Sequence, residues 1–222
     1  MDREIEAFEC ADTWDIVKQL QGKNIIYQWV FKLKCKADGS IDKYQARLIA
    51  CGFTQIYRVD YYNMYSSVAR LATFHSVLGL AAKHNWEIQQ FDFNSAFLNR
   101  ELDDSEKLYM QEPLGYEMSR GESIKQLCKA IYRLKQASCK WYDTLSELLI
   151  SLGFHVSNAD PGMFTKCIGT DILVLAMHVD DCILTSSSLA LIEEYKQKLN
   201  EHYALTDLSP VNYLLGIKVI HN

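Results

Sequence analysis

No stretch of this chain approaches the roughly 18 consecutive apolar residues that a membrane-crossing helix needs, and its opening, MDREIEAFEC, is too acidic and polar for a secretory signal. The expectation is a soluble protein of the cell interior, in cytoplasm or nucleus, with no membrane partner. CxxC spacing is also missing. The seven cysteines are odd in number and scattered, which argues against both a disulfide framework and a zinc site. There is no internal repeat and no low-complexity tract. What the chain does have is 222 residues with 49% hydrophobic content, enough to bury a full core as one large domain or two apposed subdomains.

A net charge of −5 speaks against a polyanionic partner only if the charge is evenly spread, and here it is not. From Lys23 to Arg58 seven basic residues stand against Asp38 and Asp42, and from Glu122 to Lys140 five basic residues stand against Glu122 alone. A charge run is usually a solvated face. Two such runs in an otherwise acidic chain also fit contact with nucleic-acid phosphates.

The first 20 or so residues read as a helical lead-in. In IIYQWVFKLKCK, Trp29, Phe31, Leu33 and Cys35 alternate with Lys32, Lys34 and Lys36, as in a strand with one basic side. Asp38-Gly39 is a tight-turn signal, so KYQARLIACGF becomes the return strand of a basic hairpin. Leu71, Phe74, Leu78 and Ala81 recur at helical steps up to about Asn85. Trp86 to Phe93 alternates as a strand. Ser123 to Phe154 reads as a second helical region, with Lys125, Lys129 and Arg133 at four-residue spacing and Gly153 as its stop. Strands are expected at Met163–Cys167 and Ile172–Leu184 around a Gly169-Thr170 turn, then a helix from Leu189 to Tyr203 and a last strand from Tyr213 to Ile220. Unequal blocks of strands and helices make the fold class α+β.

Chemistry is concentrated in ILVLAMHVDDCILT, where Asp180 and Asp181 interrupt an apolar run. Carboxylates taken out of water need hydrogen bonds, a raised pKa or a cation, and a divalent cation suits such a cluster. The same dipeptide at Asp103-Asp104 lies in RELDDSEK, where solvent explains it completely. Asp92, in QQFDFNSAFL, is a further acid among apolar residues near a strand end. If the two strands are neighbours, Asp92 and Asp180 can hold two magnesium ions about 3.5–4 Å apart, an arrangement that serves in-line phosphoryl transfer. The residues alone leave the plainer alternative open, in which Asp180 and Asp181 turn a hairpin and Asp92 caps an element.

Several blocks, in order from Trp29 to Val219, resemble the reverse transcriptases of copia-type retrotransposons: WVFKLKCKADGSIDKYQARLIACGFTQ, SSVARLATFHSVLGLAAKHNWEIQQFDFNSAFLN, IYRLKQASCKWYDTL, HVDD in place of the usual YVDD, and DLSPVNYLLGIKV. The resemblance implies a right-hand polymerase fold, with an antiparallel palm sheet packed on helices. Its implied parts are a lead-in (1–22), fingers (23–85), palm with the first catalytic Asp (86–112), fingers and a helix into the palm (113–153), and palm with the Asp-Asp and primer-side hairpins (154–222). It makes Asp92, Asp180 and Asp181 the catalytic carboxylates, Asp92 and Asp180 the stronger metal ligands, and the Phe93 carbonyl an additional ligand. Phe97 matches the steric gate against a ribose 2′-hydroxyl, Arg47 the fingers residue on the triphosphate, and Gln136 the residue beside the nucleotide sugar. Lys32, Lys34, Lys43, Lys129, Arg133 and Lys135 fall where template phosphates are expected.

The implied activity is RNA-directed DNA synthesis with two Mg2+ ions, Mn2+ as a substitute, dNTPs, and an RNA or DNA template bearing a primer. Other regions of a Pol polyprotein are expected partners. Gln45 and Cys51 replace usual lysines, Ser67 a proline, and Arg133, Ser138 and Cys139 a glycine, a proline and an arginine; His178 replaces the tyrosine of the Asp-Asp box. Thumb, ribonuclease H, protease and integrase regions are not among the matching blocks. The alternative is therefore a catalytically inactive, truncated or domesticated remnant that still binds nucleic acid. A two-metal nuclease on the same acids is a third reading, disfavoured because no extra His or Glu is supplied.

Overall fold

In the computed structural model, residues 1–18, 27–35, 40–103, 106–116 and 123–220 are described, the side chains of 34, 35 and 123 excepted. The expected turn at Asp38-Gly39, together with Gln21, Gly22, Lys23, Lys36, Asp104 and Glu122, lies outside them. The elements run α1 (Asp2–Cys10), β1 (Trp14–Lys18), β2 (Tyr27–Cys35), β3 (Ile41–Ala50), α2 (Leu71–His84), β4 (Glu87–Phe93), β5 (Leu108–Met110), β6 (Ser123–Leu127), α3 (Ala137–Ser151), β7 (His155–Val156), β8 (Met163–Ile168), β9 (Asp171–His178), β10 (Asp181–Ser186), α4 (Leu189–His202), β11 (Leu205–Asp207), β12 (Tyr213–Leu214) and β13 (Ile217–Lys218). All strand pairings between them are antiparallel. The class is α+β. No helix among the described residues is long and apolar enough to cross a membrane.

The chain forms two compact units, one of Met1–Tyr65 with Phe97–Trp141, the other of Ser66–Ala96 with Tyr142–Asn222. The first unit holds the β2–β3 hairpin and a sheet ordered β1-β6-β5. Here the structure corrects two expectations. The lead-in is a helix only to Cys10, and Trp14–Lys18 then pairs with β6. The region from Ser123 is a strand to Leu127, and its helix begins only at Ala137. The four-residue spacing of Lys125, Lys129 and Arg133 imitates a helix face. Lys125 instead points its ammonium at the ring of Trp14, 3.7 Å from the centroid, in the interior of the sheet. Burial pushes this lysine's pKa down, against the pull of Glu112 and Glu9, and the ring face offsets part of that desolvation. Phe8 stacks on Trp14 at 5.1 Å. The Glu4 carboxylate accepts a bond from the Leu48 amide at 3.2 Å, tying α1 to β3.

In the second unit a six-stranded sheet runs β11-β4-β10-β9-β8-β7. Side chains alternate across it, so Val174, Ala176 and Ile183 share a face that packs against Phe74 and Val77 of α2, with Val211 and Leu214 in the same cluster. Gln89 points to the other face, where Lys196 of α4 donates to it at 2.5 Å and to Asp207 at 2.7 Å. Each fully buried ring or aliphatic chain between these layers contributes about 2 kcal/mol. The expected single strand Ile172–Leu184 is two strands, because the chain reverses at Val179-Asp180 and His178 pairs with Asp181. The expected last strand is likewise a small hairpin, β12–β13. Gly153, at φ +84, ends α3 as expected from its conformational freedom.

The entry into α2 is held by a carboxylate from far along the chain. Asp160, 3% exposed, accepts bonds from the amides of Arg70 and Gly162, both at 2.9 Å, and from the hydroxyl of Thr73. Burial alone would raise its pKa, but these bonds and the Arg70 charge outweigh it and hold the carboxyl below the usual Asp range. A carboxyl depressed by folding stabilises above its unfolded pKa, and that contribution is lost as pH falls through the folded value. Asp160→Asn is therefore expected to cost about 2 kcal/mol at neutral pH. The deficit should shrink in urea titrations carried below pH 4; one that stayed constant with pH would refute the assignment.

Candidate active site

The turn between β9 and β10 brings the predicted acids of the second unit together. Asp181 is the direct cross-strand partner of Asp92 on β4 and, on its other side, of His178 on β9. Opposed residues of an antiparallel pair share a face with Cβ atoms about 4.5–5.5 Å apart, so His178, Asp181 and Asp92 form one row across three strands. Asp180 occupies the turn itself, and its carbonyl accepts a bond from the Phe93 amide at 3.1 Å. The plain alternative, in which the two acids turn a hairpin and Asp92 caps an element, holds only for Asp180, because Val179 and Asp180 make the turn while Asp181 and Asp92 are paired strand residues. It is this turn that carries the acids to the end of β4. Val179 holds φ +63 there, a left-handed conformation that β-branched residues rarely adopt.

Cys182 registers the charge of this centre. Its thiol is fully buried on the opposite face of the sheet. Burial first, then the charges of Asp181, Asp180 and Asp92, push its pKa well up. All three carboxylates therefore act on one buried atom. Oxygen donors of this kind suit a hard cation such as Mg2+. Among the described residues no three His, Cys, Asp or Glu side chains close into a metal cage, so the fit is one of donor type and backbone position. Repulsion between like charges opposes closer convergence, and a cation offsets it. Phe93 itself is buried, its ring edge-on to Phe91 at 5.5 Å and to Tyr203 at 6.5 Å, leaving its backbone as its contribution.

The remaining predicted residues belong to the first unit. In the hairpin register Lys32 faces Gln45, Val30 faces Arg47, and the backbone of Lys34 pairs with that of Lys43, which places Lys32, Lys43 and Arg47 on one face. Lys32 and Lys43 are exposed; Lys34 enters by register alone. The Arg47 guanidinium lies 4.8 Å from the ring centre of Tyr132, and Phe97 meets the same ring edge-on at 4.9 Å. Tyr132 is the link that reading the sequence missed, since nothing in IYRLKQ marks it apart from core. Gln136 is 1% exposed. Its amide oxygen accepts from Gln55 at 3.0 Å and its nitrogen donates to the Asp60 carbonyl at 3.1 Å, so in this arrangement it holds the 52–60 loop. Lys129 bridges to Glu101 through the backbone. Lys135 donates its amide to Gln55 at 2.8 Å, and Arg133 is exposed.

Residues 11–222 match the family described as reverse transcriptase (RNA-dependent DNA polymerase). Among curated proteins, the chain is 34% identical over 221 residues to the retrovirus-related Pol polyprotein from transposon RE2 of Arabidopsis thaliana, covering 98% of this chain and 15% of the relative. It is 30% identical over 223 residues to the corresponding polyprotein from transposon TNT 1-94 of Nicotiana tabacum, covering 99% and 17%. It is 28% identical over 208 residues to the transposon Ty1-BL Gag-Pol polyprotein of Saccharomyces cerevisiae, covering 90% and 11%. The chain thus spans less than a fifth of the length of these relatives. With the family match extending over nearly all of its residues, the chain belongs to the reverse transcriptase family, in the branch of copia-type Pol polyproteins.

Proposed function

We propose that this domain catalyses template-directed transfer of a nucleotide from a dNTP to a primer 3′-hydroxyl, on an RNA or DNA template, with the second compact unit as palm and the β2–β3 hairpin as part of the fingers. The observation that carries the reading is the pairing of Asp181 with Asp92, with Asp180 on the adjoining turn, in a chain of this family. Asp92, Asp180 and Asp181, with the Phe93 carbonyl, would hold two Mg2+ ions, with Mn2+ as a substitute. When bound, such a pair supplies the positive charge that eases deprotonation of the primer hydroxyl and neutralises the triphosphate.

The protein's own groups divide the rest of the work. Arg47 offers a guanidinium to the triphosphate, its plane steadied by Tyr132. Phe97, packed against the same ring, is the sterically fixed wall that excludes a 2′-hydroxyl. Gln136 acts by positioning the loop beside the nucleotide sugar. Lys32, Lys34, Lys43, Lys129, Arg133 and Lys135 meet the phosphates of template and primer, a contact that is independent of sequence and weakened by salt.

Two measurements test this. Primer extension on RNA and DNA templates should require Mg2+ and stop on chelation. Binding without incorporation would favour the remnant reading, and Mg2+-dependent cleavage without dNTPs the nuclease. Duplex affinity should fall linearly with salt on logarithmic axes, and Lys43→Gln should flatten that slope by about 0.9, the value for one lost phosphate contact. An unchanged slope would remove Lys43 from the phosphate-binding set.

A further inference from the structure

Two residues proposed for the nucleotide, distant in sequence, meet on one ring. The Arg47 guanidinium lies 4.8 Å from the centre of the Tyr132 ring. Phe97 meets that ring at 4.9 Å, with the two planes 81° apart. Arg47 belongs to β3 and Phe97 to the short helical turn Ala96–Asn99, and all three residues fall in the first compact unit. Phe97 is 8% exposed, while Arg47 and Tyr132 are half-buried. A cation held over a ring and an edge-on aromatic pair each shift an equilibrium by roughly two- to tenfold. Both contacts here draw on the same side chain.

The backbone beneath the ring is fixed. The Tyr132 carbonyl accepts a bond from the Ala50 amide at 2.9 Å, which fastens it to the end of β3. The Leu134 amide donates to the Ile131 carbonyl at 3.3 Å, closing the turn around it, and Ile131 and Leu134 are both buried. One residue on, the Arg133 carbonyl is packed so closely on Gly52 that a Cβ there would stand 2.1 Å from its oxygen. With its main chain held in this way, the ring moves only by changing staggered rotamer. Leaving its present position therefore ends the contact with Arg47 and the contact with Phe97 together.

We infer that Tyr132 is a positioning residue shared by the triphosphate and the sugar, so that gripping the phosphates and rejecting a ribose 2′-hydroxyl are one coupled property of this domain. The inference rests on the roles proposed above for Arg47 and Phe97. Phosphates drawn to Arg47 hold the guanidinium on the ring, and the ring holds Phe97 where the sugar must pass. Such coupling is reciprocal, and residues that share a partner depart from additivity by several-fold. The test is calorimetric binding of dTTP and of UTP to the full chain with Mg2+, on a primer–template whose primer ends in a dideoxynucleotide, so that no incorporation is needed. Tyr132→Leu should weaken dTTP about fivefold and narrow the preference for dTTP over UTP several-fold. Tyr132→Phe keeps the ring and should hold both within about twofold of the parent. Arg47→Gln is the decisive arm, because this side chain is assigned to the phosphates. It should narrow the preference in the parent and leave it unmoved in the Tyr132→Leu background. Equal weakening of dTTP and UTP by Arg47→Gln would overturn the coupling, as would a Tyr132→Phe variant that behaves like Tyr132→Leu. The Arg47→Gln arm in the parent decides the matter even if a thermal melt shows that Tyr132→Leu does not fold. A parent that binds neither nucleotide defeats the polymerase reading and the coupling with it, whereas a parent that binds dTTP with a preference that Arg47→Gln does not change defeats the coupling alone.

Discussion

Asp92→Asn and Asp180→Asn are each expected to lower the rate of nucleotide incorporation by at least about a thousandfold, while the protein melts within a few degrees of the parent. The reasoning begins with the register. Asp92 and Asp181 are opposed on adjacent strands and Asp180 adjoins them on the turn, so each substitution removes one formal charge from the site proposed to hold the cations. Metal-borne charge stabilisation in the transition state amounts to several kcal/mol, and each 1.36 kcal/mol is tenfold in rate. The side-chain amide has nearly the shape of the carboxylate, so the strand pairing is kept, and removal of one like charge from the cluster relieves repulsion. Quenched-flow incorporation of a single dNTP, together with a thermal melt of each variant, measures both halves. Undiminished incorporation by either variant would remove that acid from the centre.

The largest effect on stability is expected at a glycine that is not among the site residues. Gly162→Ala should cost about 3 kcal/mol, a drop of about 6–12 °C in melting temperature for a chain of this size. A Cβ there would stand 2.0 Å from the Ala69 nitrogen and 2.5 Å from the Val68 carbonyl carbon. These are backbone atoms that cannot swing aside. They are also engaged, because the Ala69 amide donates to the Met177 carbonyl at 2.8 Å and the Met177 amide to the Gly162 carbonyl at 3.0 Å. Pushing the segments apart breaks the tie between the start of α2 and the strand leading to Val179. Gly79 is the internal control. Nothing lies within 4 Å of a Cβ added at that position in α2, so Gly79→Ala should raise stability by about 0.5–1 kcal/mol through helix propensity alone. Scanning calorimetry of the two variants should move in opposite directions; Gly162→Ala melting with the parent would show that the close approach is not real.

The sequence was most legible where periodicity and burial agree. Helices α2 and α4 and strands β4 and β8 lie within a residue or two of their expected limits, and each of the two helices buries one coherent stripe. It was least legible where a tertiary contact decides. Lys125 reads as a solvated helical charge until Trp14, more than a hundred residues earlier, supplies a ring to cover it. The strand Trp14–Lys18 depends on β6 for its partner and has no strong alternation of its own. The reversal at Val179-Asp180 has no glycine or asparagine at its left-handed position to announce it. As for the candidate site, the residue types and their apolar surroundings were visible in the chain. The facing of Asp181 and Asp92 was not, because register between distant strands is set by the packed sheet. Tyr132, on which both Arg47 and Phe97 lean, gave no local sign at all.

Val179 has a consequence for how the domain fails on heating. Holding a β-branched side chain at φ +63 keeps about 1–3 kcal/mol in tension at one residue, and only the strands on either side prevent its release. Any loosening of those strands lets this residue relax before the bulk of the chain gives way. Catalytic competence would then vanish at temperatures where spectroscopy still reports an intact protein, and the gap between the two midpoints would gauge how much of the sheet's cohesion is spent on keeping one bend in place.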